Sequence, residues 1–239
     1  MSVKTHREVK NPRLSDNKLA DYMNASEQAR RSILRSCKYQ PKAAVIQHHD
    51  AKKMIAESMV NGKINHDVLT QKLDLYGGKI TDTDFEAEVK QHNIDYVNCV
   101  LTMGCQPIKG TDFDRCKTSK KLDFNGTEIS FFPDLLVART NQKNNRKIGA
   151  INFRYSKSAK LPEKTAGYQS ALMFGVFRDE PFEPEATAER DLCQTLDCFN
   201  GKVYLAPTNA VYLYNEMQAA CGAIAYQWPN IEPPSGAIF

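Results

Sequence analysis

Residues 131–155, FFPDLLVARTNQKNNRKIGAINFRY, constrain the fold more than any other stretch of the chain. They read as a strand over Phe131–Thr140, a polar turn over Asn141–Arg146 and a second strand over Ile148–Tyr155. Leu135, Leu136 and Val137 follow one another in the first strand. Side chains alternate faces along a strand, so an unbroken apolar run needs cover on both sides, as in a buried central strand. The fold must therefore supply packing partners for two sheet faces.

The rest of the chain carries the helical periodicity to do so. Asp16–Met23 and Ser26–Cys37 are helix candidates, and Pro41 marks a break. Ala51, Met54, Ile55 and Met59 share one face of a helix over Asp50–Val60, with Asn61-Gly62 as its stop. Asn65 is placed to cap a further helix through Leu75, ended by Gly77-Gly78. The best-marked helix starts at a capping box, Thr83 with Glu86 three residues on, and runs to about Met103. Beyond it the period changes to two. Asn125-Gly126 inside Lys121–Ser130 is a tight-turn signal. Leu161–Phe177 returns to helix, Lys202–Leu205 to strand, and Asn209–Trp228 to helix. The order after residue 80 is helix, three strands, helix, strand, helix. It predicts an α/β (α+β) fold with a small mixed sheet flanked by helices. Two parts are expected: a basic helical region over 1–80, opening with a flexible arm over 1–14, and an α/β core over 81–239.

Charge is unevenly spread. Residues 1–55 hold twelve Lys and Arg against five Asp and Glu, whereas residues 178–239 hold three against nine. A basic front half attracts phosphate, although a solvated helical surface has the same composition. No apolar run approaches ~18 residues, so no membrane span is expected. The first residues lack the apolar stretch of a secretory signal, which points to the cytoplasm. Seven scattered cysteines without a CxxC give no zinc pattern. No phosphate-binding loop, dinucleotide fingerprint or GxSxG occurs.

Pro133-Asp134 opens the first strand, Gly149–Arg154 forms the second, and Tyr168-Gln169 sits on the helix that follows. In this order, and over about residues 81–228, the chain resembles the PD-(D/E)XK nucleases, RecB-like members in particular. The resemblance implies nucleic acid as partner, DNA rather than RNA, and Mg²⁺ as cofactor if the chain cuts. It assigns Asp134 to the metal and Gln169 to the helix glutamine of the RecB-like group. Asn152 stands where the family has its second metal-binding carboxylate, Arg154 where it has lysine, and Met173 where RecB-like members carry tyrosine. The chain is also similar to bacterial proteins of no established activity that share Gly149, Ser156-Lys157 and the Ala219–Pro229 stretch.

These departures bear on chemistry. Asn152 offers only a neutral oxygen, and one unit charge at ~4 Å is worth roughly 4 kcal/mol at an effective dielectric near 20. A cutting site would need another acid, for which Glu128 and either Glu86 or Glu88 are the candidates, and a displaced lysine, for which Lys157 is the candidate. Arg154 binds phosphate but stays protonated and cannot act as a base. Three readings follow: a degenerate, nucleic-acid-binding relative in phage defence or DNA processing; an active Mg²⁺-dependent nuclease; or a protein-interaction subunit or homo-oligomer docking through acidic residues 178–197. Arg30, Arg31 and Arg35 are the further candidates for phosphate contact. Each candidate also has a plain alternative, Asp134 as a strand start and Asn152 and Arg154 as surface positions among them.

Overall fold

The computed structural model describes residues 5–41, 48–104, 106–142, 144–156, 159–183 and 185–238, with the backbone alone for Val60. In chain order they form β1 (His6–Glu8), β2 (Arg13–Ser15), α1 (Asp16–Asn24), α2 (Glu27–Lys38), β3 (Tyr39–Pro41), α3 (His49–Glu57), β4 (Met59–Val60), β5 (Lys63–Ile64), α4 (His66–Gly77), α5 (Asp84–Thr102), β6 (Asp112–Arg115), β7 (Lys120–Phe124), β8 (Thr127–Phe131), β9 (Leu135–Thr140), β10 (Arg146–Arg154), α6 (Glu163–Asp179), β11 (Thr187–Ala188), β12 (Gln194–Asp197), β13 (Lys202–Leu205) and α7 (Ala210–Gln227). The fold is mixed α/β, with helices flanking mixed sheets. Ser15, Ser26, Asn65 and Thr83 cap α1, α2, α4 and α5 by accepting from a backbone N–H in each first turn.

Contacts divide the chain into two compact units, each assembled from separated segments. One takes the described residues of 1–45, 118–132 and 211–239; the other takes those of 46–117 and 133–210. This division does not fall at residue 80. Helices α3 and α4 belong with the large sheet, whereas the β7–β8 hairpin and nearly all of α7 belong with the N-terminal segment.

In the first unit, β7 and β8 turn at Asn125-Gly126, both at positive φ, and β2 runs parallel beside β8. The hairpin is tied to α7: Thr127 donates to the Cys221 carbonyl and Asn125 to that of Gln218. From Thr5 on, the expected flexible arm is built into the fold, because β1 pairs with β3 and the Thr5 and His6 amides donate to the Ile238 carbonyl. The side chain of Lys38 is buried, and its ammonium donates to the carbonyls of Trp228, Pro229 and Ile231 at 2.9–3.2 Å.

The second unit is built on a six-stranded sheet in the order β13-β12-β10-β9-β6, with β11 beside the first half of β10. Neighbours are antiparallel except that β10 runs parallel to β12 and to β11. The first strand of this sheet is β6, DFDR, not the 121–130 segment expected from its turn signal. Phe113 is the only apolar residue in β6, as befits a short edge strand, and that is why its sequence gives little sign of it. The expected strand over Phe131–Thr140 is interrupted at Phe132–Asp134, where Pro133 has no N–H to offer a ladder.

Alternation along the strands assigns the two faces. Leu135, Val137, Ile151, Phe153 and Leu196 pack with Ala51, Met54 and Ile55 of α3, Leu69 of α4, and Tyr96, Val97 and Val100 of α5. Helix α6 covers the other face, where Ser170 bonds to Thr195 at 2.9 Å and to the Tyr204 carbonyl at 3.0 Å. At Gly149 a Cβ would lie 2.4 Å from the backbone of Leu192, so only glycine lets that turn pack on β10.

Candidate functional site

Four of the residues singled out from the sequence, Asp134, Asn152, Arg154 and Gln169, lie about the C-terminal end of β10, Asp134 bonded to Lys52 of α3 and the other three on the α6 side. Ile151 and Phe153 point into the α3–α5 core, which turns Asn152 and Arg154 toward α6. Asn152 is 1 % exposed, opposite Thr195 of β12. Arg154 is half-buried and donates from Nη1 to Oε1 of Gln169 at 3.0 Å. Gln169 is fully buried on α6. Arg154 and Gln169, twelve or more residues apart in sequence and on different elements, are thus joined, with Asn152 on the same face. Neither Asn152 nor Arg154 is the freely solvated surface residue that a wet sheet face would have made it.

Asp134 sits one residue before β9. Its N–H donates to the Ile151 carbonyl at 2.9 Å, extending the ladder with β10 by one bond. Its Oδ2 accepts from the Phe153 N–H at 2.6 Å and from the Lys52 ammonium at 3.0 Å. The Asp134 side chain is 12 % exposed and that of Lys52 27 %. Lys52 lies on α3, whose first turn is anchored to α5 by the buried Asn93: Oδ1 of Asn93 accepts from the Ala51 N–H at 2.8 Å. The lysine was not foreseen. Its neighbours Ala51, Met54 and Ile55 signal a helix, but nothing in the sequence links it to an acid 82 positions away.

Aromatic residues pack beside this pair. Tyr96 stacks on Tyr155 at 4.2 Å, and His48 meets both rings edge-on at 5.5 Å. Burial, with the Asp134 charge as a lesser contribution, raises the Tyr96 hydroxyl well above its usual range. Burial also lowers His48, helped by the charges of His92 and Lys52, so the imidazole is neutral at pH 7.

The remaining candidates lie apart from this arrangement. Lys157 falls outside the described residues. Glu86 is exposed in the first turn of α5, where its carboxylate accepts from the Asp82 N–H at 2.9 Å and closes the helix cap. Glu128 lies on β8 in the first unit, paired with Arg13 at 3.2 Å and Lys121 at 3.4 Å. Arg30 is committed within that unit, since it donates to the Tyr22 and Met23 carbonyls that end α1. Arg31 pairs with Glu27, and Arg31 and Arg35 remain exposed along α2. In residues 178–197, Glu183 binds Arg146, Glu189 binds Arg139 and Asp191 binds Lys109, so three of the carboxylates expected to dock a partner are met by cations of their own unit.

The donor set does not fit Mg²⁺. Hard divalent ions need several oxygens, carboxylates foremost. Asp134 is a single carboxylate whose Oδ2 already takes a cation and an N–H. Among the described residues no three His, Cys, Asp or Glu side chains gather as a metal centre would need. No family model matches the chain, and no curated protein matches it. No helix among the described residues is long and apolar enough to cross a membrane.

Proposed function

We propose that the protein is a cytoplasmic, nucleic-acid-binding relative of the PD-(D/E)XK nucleases that holds phosphate without cutting it, in phage defence or DNA processing. The observation that carries this reading is the environment of Arg154. Its guanidinium is oriented by the buried Gln169, and the neighbouring Asn152 is neutral. An arginine binds phosphate through a planar fork of donors, and Gln169 fixes this one at the strand end, opposite the buried Asp197 of β12. The exposed Arg31 and Arg35 on α2 supply further phosphate contacts. DNA is the preferred ligand.

The test is fluorescence anisotropy of labelled duplex DNA, single-stranded DNA and RNA at low and rising salt. Binding is expected to weaken steeply with salt. Arg154→Ala is expected to lower affinity and to reduce the salt slope by about one charge. Plasmid incubated with the protein and Mg²⁺ or Mn²⁺ is expected to stay intact. Binding that is absent at low salt, or unaffected by Arg154→Ala, refutes the reading, and plasmid cleavage lost in Asp134→Ala replaces it with the nuclease.

A further inference from the structure

We propose that the outer edge of β6 takes an extended basic segment of a partner protein as a further strand of the large sheet. Among the described residues β6 is hydrogen-bonded to β9 alone, so its other side presents unpaired backbone N–H and C=O groups. Asp112 and Asp114 are exposed, and Phe113 and Arg115 are half-buried, as an edge open to water requires. Phe113 packs against the α3–α5 core, which turns Asp112 and Asp114 toward the α6 face. Helix α6 lies over β10, β11, β12 and β13; beyond it, Leu136 of β9 is half-buried rather than covered. A hollow of about 40 Å³ opens there, bounded by Leu136, Ala138, Phe177 and Phe182, with Asp112 and Asp114 on its β6 side.

Charge selects the occupant. Arg146 is shared between Asp112 at 2.9 Å and Glu183 at 2.5 Å, and Asp114 has no cation partner among the described residues. Three carboxylates against one guanidinium leave two net negative charges among these side chains at pH 7. Arg115 is on the opposite face, where it pairs with Glu57 at 3.9 Å. Side chains alternate along a strand, so an added segment with lysine or arginine at every second position sets its cations opposite Asp112 and Asp114, a pairing that stabilises neighbouring strands. The aliphatic stem of such a cation covers Leu136, and its end reaches the hollow. A second copy of the chain is a poor occupant. Antiparallel pairing about Phe113 sets Asp112 against Asp114 across the junction, and like charges directly opposite are destabilising. The same acids repel phosphate, so this edge is separate from the nucleic-acid reading and does not depend on it.

The experiment is fluorescence anisotropy of a labelled synthetic peptide, in which lysine alternates with threonine, titrated with the full chain. Two control peptides accompany it. One has glutamate in place of lysine; the other is N-methylated throughout, which keeps the charges and removes every backbone donor. The lysine peptide is expected to bind, to weaken as salt rises, and to slow hydrogen exchange within residues 112–115. N-methylation is expected to remove most of the affinity, because charge alone does not form a strand. Asp114→Asn is expected to weaken the lysine peptide about threefold, and Asp114→Lys to reverse the preference in favour of the glutamate peptide. Asp114 is exposed, so both variants should fold, and circular dichroism verifies it. A lysine peptide that does not bind at low salt overturns the proposal, as does one whose affinity is unchanged by Asp114→Asn or by N-methylation. Sedimentation equilibrium is expected to show no self-association through this edge. A dimer that protects the amides of residues 112–115 assigns the edge to a second copy and overturns the proposal as well.

Discussion

Replacing Asp134 by alanine removes an acceptor that two donors share. The Phe153 N–H, at 2.6 Å from the carboxylate, is left in a largely buried setting without its partner. A buried donor that loses its acceptor costs ~1–3 kcal/mol. Breaking a buried ion pair costs about 3–5 kcal/mol. Here the figure is lower, since Lys52 keeps 27 % of its side chain exposed and can turn to water. Together the losses come to about 3 kcal/mol for Asp134→Ala. Asp134→Asn keeps an oxygen for the Phe153 amide and gives up only the charge, so about 1–2 kcal/mol is expected. Lys52→Met probes the same pair from the other side, and the double-mutant cycle with Asp134→Ala should show coupling of about 1 kcal/mol. Tryptophan fluorescence is the wrong probe, because the single Trp228 belongs to the other unit. Hydrogen exchange of the Phe153 amide reads the site directly, and urea unfolding followed by far-ultraviolet circular dichroism gives the wider stability. If Asp134→Asn costs as much as Asp134→Ala, or the cycle shows no coupling, the carboxylate is not what holds these two elements together and the reasoning fails.

Two further perturbations have defined outcomes. Lys38→Met strips three carbonyls at 2.9–3.2 Å of a charged donor in the first unit; a loss of about 3 kcal/mol and faster hydrogen exchange over residues 228–238 are expected. His48 is held below its usual value of 6.5 by burial first, then by the charges of His92 and Lys52. The unfolded chain therefore takes up a proton that the folded one resists, so this contribution is complete above pH 6.5 and is lost as pH falls through the lower folded value. Urea midpoints compared at about pH 7.5 and about pH 5.5 should fall in acid, and His48→Gln should flatten the difference; an unchanged slope in the variant contradicts the assignment.

Local patterns carried much of the fold. Ser15, Ser26, Asn65 and Thr83 cap the helices that follow them, and Asn125-Gly126 turns a hairpin, because a cap or a turn needs only residues a few positions apart. The unbroken Leu135–Val137 run likewise marks a central strand with β10 on one side and β6 on the other. Edge strand β6 escaped notice because one inward phenylalanine between charges makes no pattern. The site was legible in the same uneven way. Asn152 and Arg154 share a face by alternation alone, and Gln169 lies on the helix that covers that face.

What the sequence determined by itself, then, was the kinds of elements and their order, since periodicity, capping and turn chemistry act over a few bonds. Tertiary structure alone decided that β7, β8 and nearly all of α7 join the N-terminal segment, and that Asp134 meets Lys52 rather than Glu86. Which charge neutralises a half-buried carboxylate depends on where helix α3 comes to rest against β10, and that is set by the packing of the whole unit rather than by any neighbour in the chain.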